Sequence, residues 1–517
     1  MIPCIHTAQL LPWSRAGHDA KRGQAGAGHA KPAYFSEGWR KDYTVQFWLS
    51  RRSALLLFLI TFAVYALLVL FFSRPPGMSM TNGDEPHYLL QMHSLLVDHD
   101  LEVQNNYANL DYRDFFVGET LNVGAYLYQY HGRTIRHHFS LGMPLLLTPA
   151  YALGGRVGVQ LLLALLTAGG MSCLLLVARR FMPPSLAFAS VLLCALLYPI
   201  VIYSHQIYPE TIVMALVALV LAQTLAVGEA RVRQRAALVG IAVGVMPHFQ
   251  NKFILLSALL FVFFLWRTRT DLKTALRWSL PPIVLLAVGH LAWAYVTYGE
   301  LGRSALISPG YPRLVDARID DGVLGLWFDQ EVGLGFYAPL YLLALPGAII
   351  LLHQPQRRAV TSWLVVIYTS FHLLSGAYYD WPAGLSPAPR YLIPVIPVLV
   401  IFVGAALEWL IRRGQFLQPL LLTLITAYFT YLILFVQRAY MFPFYIGSNS
   451  ILREHFRANH LIIWLIPWLP SFLRAPETAY ISLVLVGAIF LTGMAVLIPA
   501  NRLLIAVLNR PTDQADS

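Results

Sequence analysis

The residues best placed to do chemistry in this chain are acids and bases standing where long apolar runs end. Asp84 and Glu85 adjoin in Gly83-Asp84-Glu85-Pro86-His87-Tyr88, a short linker after the apolar run 54–72. Two acids beside a bilayer are costly unless they meet a cation or a polar substrate. A carboxylate there can take the proton of an attacking hydroxyl, with its neighbour as partner. Pro86, Tyr88 and the apolar residues after them predict a short surface helix that starts at the pair. Helix N-termini favour anions in any case, so a purely solvated pair fits the same residues.

Three further groups lie at comparable junctions. Asp380-Trp381-Pro382-Ala383-Gly384 leads through Pro387 and Pro389 to Arg390 and Tyr391. A guanidinium there can grip a phosphate through its fork, and Trp381 and Tyr391 can stack on a sugar or an isoprene unit. An ordinary Pro-rich turn whose Arg390 reaches headgroups is the plainer reading. Glu210 ends His205-Gln206-Ile207-Tyr208-Pro209-Glu210 and needs a cation, a donor or a substrate hydroxyl, unless the helix dipole satisfies it. Lys252 ends Pro247-His248-Phe249-Gln250-Asn251-Lys252 and can pair with a phosphate or with Glu210. His87, Tyr88 and His248 flank these groups as candidate substrate-binding side chains.

The elements that must position them are helices in a membrane. Of 517 residues 57% are hydrophobic and only 12% charged, against roughly 25% charged in soluble domains. Apolar runs recur at 54–72, 156–178, 185–203, 207–227, 236–247, 250–266, 278–298, 336–352, 359–379, 391–411, 416–436 and 478–498. The expected fold is therefore an all-α polytopic membrane protein of about 12 transmembrane helices, with extracytoplasmic surface helices and loops. The net charge of +11 sits in short connectors such as Arg179-Arg180, Arg357-Arg358 and Arg412-Arg413. That is a signature of topology and not of nucleic-acid binding. It puts both termini in the cytoplasm and the acidic segments 73–155, 299–335, 380–390 and 437–477 outside. Residues 1–50 read as a basic cytoplasmic tail, 51–500 as the catalytic membrane domain and 501–517 as a second tail. Leu141 to Leu153 reads as a surface segment, and Leu461 to Trp468 as an interfacial helix.

Other chemistries find little support. Three cysteines, two of them inside apolar runs, make no disulfide framework. Adjacent His137-His138 in the basic patch His131 to His138 lacks zinc-ligand spacing. No P-loop, dinucleotide fingerprint or serine-histidine triad is present. A divalent ion such as Mg or Mn, held by Asp84 or Glu85 with Glu210, is compatible with hard oxygen ligands.

An acidic pair soon after the first membrane helix, followed by a surface helix, resembles the GT-C superfamily of membrane glycosyltransferases. The pattern from Gly83 to Leu89, then Ser94-Leu95-Leu96, Asp98, Asp100-Leu101 and Asn105-Asn106-Tyr107, is similar to its bacterial branch near the protein O-mannosyltransferases and lipid A aminoarabinose transferases. The likeness spans roughly 45–500, without a large soluble C-terminal domain. It implies Asp84 as catalytic base, Glu85 as its partner and a polyprenyl-phosphate sugar as donor. The acceptor would be a lipid, a glycan or a protein, reached outside the bacterial inner membrane. A transporter or flippase for a lipid-linked glycan is the main rival; it should carry its charges near mid-membrane.

Overall fold

The structure is a computed structural model that describes residues 51–72, 83–116, 121, 127–130, 133–137, 140–226, 231–298, 319–378, 380–383, 386–387, 389–436 and 464–508. The expected tail 1–50, the end of the second tail and residues 461–463 of the interfacial segment lie outside these residues. So do the side chains of the basic patch.

Apolar stretches become helices because only a helix satisfies every backbone donor and acceptor within its own segment. In chain order they are α1 (Arg51–Phe72), α2 (Glu85–Val97), α3 (Gly142–Ala178), α4 (Pro184–Leu196), α5 (Pro209–Leu225), α6 (Val232–Val245) and α7 (Phe253–Arg267). Then follow α8 (Leu272–Tyr298), α9 (Ile319–Phe328), α10 (Ala344–Leu352), α11 (Pro355–Gly376), α12 (Ile396–Arg412), α13 (Leu417–Tyr431) and α14 (Pro476–Leu508). Among the described residues, an antiparallel hairpin pairs Leu127–Tyr130 with Arg133–His137.

The described residues do not confirm the expected count of about twelve spans. Seven helices are long and apolar enough to cross a membrane, and four more apolar helices are shorter, at 10–17 residues. Helix boundaries also differ from the apolar runs at two places. The run at 185–203 breaks after Leu196, where Leu197 is extended. Leu141 to Leu153 is not a separate surface segment: it continues into α3 across a kink at Gly154 and Gly155. Gly155 has φ +55°, a conformation that side chains other than glycine rarely adopt.

The segment Arg390–Arg412 is the centre of the bundle and is buried along most of its length, whereas α14 and much of α8 face outward. Around it, α3 packs on α1 and α5, α10 on α12 and α11, and α6 on α8. The last pair approaches closely through Gly240 and Gly244, which face Ser279, Pro282, Ile283 and Leu286. Gly240→Ala places its methyl against the Ser279 backbone. It is expected to lower stability by about 1–3 kcal/mol, read as a lower thermal midpoint of the detergent-solubilised chain.

The two ends of the bundle differ. At one end, Arg179 donates to Ser53 Oγ and Arg357 to the Phe181 carbonyl. Arg412 pairs there with Glu408 on the helix that Arg390 opens. At the other end, Gly142 lies beside His248 and Phe249. Asp84, Glu210, Lys252 and Arg390 all occur at this second end.

Candidate active site

Each site residue is delivered by a helix start. Gly83, with φ +56°, makes the left-handed turn that presents Asp84 ahead of α2, and Pro86 sits in that helix's first turn. Pro209 and Glu210 open α5, Lys252 precedes α7, and Arg390 opens the tight turn Arg390–Val395 that runs into α12.

Arg390 is the hub. Its Nη1 donates to Asp84 Oδ2 at 2.7 Å, across 306 positions, and its Nε to Glu210 Oε1 at 2.9 Å, across 180. Lys252 Nζ donates to the same Glu210 oxygen at 2.5 Å. The Glu210 side chain is fully buried, Arg390 is 6% exposed, Asp84 19% and Lys252 25%. Aromatic faces complete the cage: the guanidinium lies 4.2 Å from the Tyr208 ring centroid and the ammonium 4.0 Å from that of Tyr391. Glu210 Oε2 is buried and has no hydrogen-bond partner among the described residues.

Glu85 takes a different place from its neighbour. It is 2% exposed and accepts a hydrogen bond from the Ile207 backbone N–H at 2.8 Å. It thereby ties α2 to the segment that carries Tyr208 and Glu210. His87, 2% exposed, bonds the Tyr107 hydroxyl through Nδ1 at 2.5 Å. Tyr88 is buried, and its hydroxyl accepts from Gln250 Nε2 at 3.4 Å. His248 Nε2 meets the Leu286 carbonyl at 2.9 Å, and its ring stands 5.0 Å from His290. Trp381 is 5% exposed and packs on Gly325.

Asp380 is half-buried in the loop between α11 and Arg390. Burial raises its pKa to about 6; Arg390 and Lys252 oppose the shift and Asp84 adds to it. Its carboxylate therefore shares the electrostatic surroundings of the cluster. Three contributors escaped the sequence reading as site residues: Tyr208 beneath Arg390, Gln250 beside Tyr88, and Arg156, whose charge is felt by Glu85. Tyr208 and Gln250 stand inside motifs already singled out, whereas Arg156 looked like the mere start of a span.

No group of three or more His, Cys, Asp or Glu side chains converges to hold a metal among the described residues. Of the acids expected to bind a divalent ion, Asp84 and Glu210 face a guanidinium and an ammonium, and Glu85 accepts from the Ile207 N–H. Two resident cations against those oxygens fit a divalent ion poorly.

No family model matches the chain, and no curated protein matches it. Solved structures do. ArnT from Cupriavidus metallidurans, bound to undecaprenyl phosphate, superposes with a TM-score of 0.51 at 15% identity, over 86% of this chain and 75% of that one. The chain therefore shares the fold of that structure. The oligosaccharyltransferase of Archaeoglobus fulgidus is also similar, at 12% identity and a TM-score of 0.43, over 83% of this chain and 60% of its own. The archaeal oligosaccharyltransferase AglB from Archaeoglobus fulgidus, in complex with an inhibitory peptide and a dolichol-phosphate, gives a TM-score of 0.44 at 12% identity, over 85% of this chain and 60% of that one. With seven membrane-length apolar helices on this fold, the chain is an integral membrane protein.

Proposed function

We propose that this protein transfers one sugar, with inversion, from a polyprenyl-phosphate donor to an acceptor hydroxyl at the extracytoplasmic membrane face. The observation that carries the reading is the convergence of Asp84, Glu210, Lys252 and Arg390, from four separate segments, at the bundle end opposite the basic connectors. The GT-C neighbour bound to undecaprenyl phosphate supports a carrier of the same chemistry.

Arg390 and Lys252 receive the phosphate. Arg390 Nη2 makes no hydrogen bond to a described residue, and Lys252 uses one of its three protons on Glu210. Donors therefore remain for phosphate oxygens without dismantling the cluster. Asp84 accepts the proton of the acceptor hydroxyl as its oxygen attacks the anomeric carbon. The bond from that carbon to the phosphate oxygen breaks, and the charge that collects on the departing phosphate meets the two cations. Glu85 acts one step removed, by holding Ile207 and through it the Tyr208–Glu210 segment. The donor's tail stays in lipid while its head reaches the helix ends. Lipid, glycan and protein acceptors, and arabinose, mannose, glucose or galactose as sugar, are compatible with these groups.

The alternative, a flippase or transporter, calls for charges along the interior of the helices. Here the four charged groups stand at helix starts. The deciding experiment reconstitutes the purified chain with radiolabelled polyprenyl-phosphate sugars. Label appearing in a water or acceptor product supports transfer. Intact donor moved across the bilayer with no sugar released supports the alternative.

A further inference from the structure

We propose that Asp380 is the acceptor-binding carboxylate of this site, and that it selects hydroxyl acceptors that are neutral or cationic beside the reacting group. The assignment rests on the transferase reading above and concerns the half of the site which that reading leaves unassigned.

Among the described residues of the loop that carries Asp380, several contacts fix the backbone and neighbouring rings without using this side chain. Trp381 N–H bonds the Tyr378 carbonyl, Ala383 N–H the Asp380 carbonyl, and Ser386 both its N–H and its hydroxyl to the Ala383 carbonyl. Tyr203 donates to the Pro387 carbonyl, Tyr378 stacks edge-on against Tyr391 at 5.6 Å, and Trp381 is buried against Gly325. The Asp380 carboxylate takes part in none of these contacts and has neither a hydrogen bond nor an ion pair to a described residue. A half-buried carboxylate between neighbours held in this way is a preorganised acceptor of hydrogen bonds.

Its neighbours say what it can receive. Arg390, Lys252 and Asp84 act on it electrostatically, as it does on Tyr391. The two cations are already bound to Asp84 and Glu210 and are the natural seat of the donor phosphate. Three carboxylates thus face two cations, and a seated donor diester adds one more negative charge. An incoming hydroxyl donates to Asp380 at no electrostatic cost and an ammonium gains, but an acidic acceptor is repelled. The raised pKa sets the working range: Asp380 loses its acceptor capacity as pH falls through about 6.

The test uses the full chain, a radiolabelled polyprenyl-phosphate sugar, and two acceptor probes: a neutral alkyl glycoside and the matching alkyl uronide. Wild type is expected to prefer the neutral probe by about tenfold or more at pH 7.5. Its KM for that probe should rise as pH falls through about 6. Asp380→Asn should raise the neutral-probe KM by about 10- to 100-fold with kcat little changed, flatten the pH dependence and erase the charge preference. Asp380→Glu should restore much of all three. A thermal shift with undecaprenyl phosphate should persist in both variants, which also reports that they fold. Equal use of the two probes by wild type, or a kcat loss at constant KM in Asp380→Asn, overturns the assignment. Wild type that releases no sugar to either probe or to water removes the underlying transferase reading, and the assignment with it.

Discussion

Arg390→Ala should abolish measurable sugar transfer and destabilise the protein at the same time. The guanidinium bridges Asp84 and the fully buried Glu210, and removing it leaves Glu210 with Lys252 alone. Deleting one partner of a buried ion pair costs about 3–5 kcal/mol. Arg390→Lys separates the two effects. An ammonium keeps the charge but has no fork to reach Asp84 through Nη1 and Glu210 through Nε together. Turnover is therefore expected to fall by about 10²–10³, with a smaller loss of thermal stability than in the alanine variant. Initial rates at saturating donor, set beside unfolding midpoints of the same preparations, check both. Wild-type turnover in Arg390→Lys would exclude the fork from the reaction.

Asp84→Asn should leave the fold almost intact and remove most of the rate. Asparagine keeps the shape of the side chain, and Asp84 is the more exposed member of its pair at 19%, so the structural cost is small. The amide cannot take the acceptor's proton. General-base catalysis contributes about 10²–10⁴ in rate, and kcat should drop by that much while donor affinity moves only a few-fold. Turnover of the variant at full speed would sink the base assignment and leave Asp84 a purely structural partner of Arg390.

These two residues also show what a sequence can and cannot disclose. Apolar length was enough to place a helix near each of the twelve runs, since membrane helices follow from hydrocarbon burial and backbone satisfaction. Helix ends were less legible. The kink at Gly154 and Gly155 leaves the apolar pattern unbroken, so α3 begins at Gly142 and not near residue 156. Asp84, Glu210, Lys252 and Arg390 could be singled out because a charge at the end of an apolar run demands a partner. That the partners are one another depended on helix packing that no local pattern encodes. Direction was hidden as well. Glu85 adjoins Asp84, yet successive residues at a helix start project about 100° apart, and Glu85 turns to Ile207. Trp381 looked available for stacking, but Gly325, 56 positions earlier in the chain, makes the space that buries it.

The central claim is that Arg390 and Lys252 hold the phosphate of a polyprenyl carrier. Thermal unfolding of the purified chain with undecaprenyl phosphate or undecaprenol tests it most directly, because the two lipids share a tail and differ in the phosphate. A ligand that binds only the folded state at a hundred times its Kd stabilises by about 2.7 kcal/mol. Wild type should show a large upward shift with the phosphate and little with the alcohol, and Arg390→Lys and Lys252→Met should lose the difference. Equal shifts with both lipids, or a phosphate-specific shift that survives in both variants, would contradict the claim.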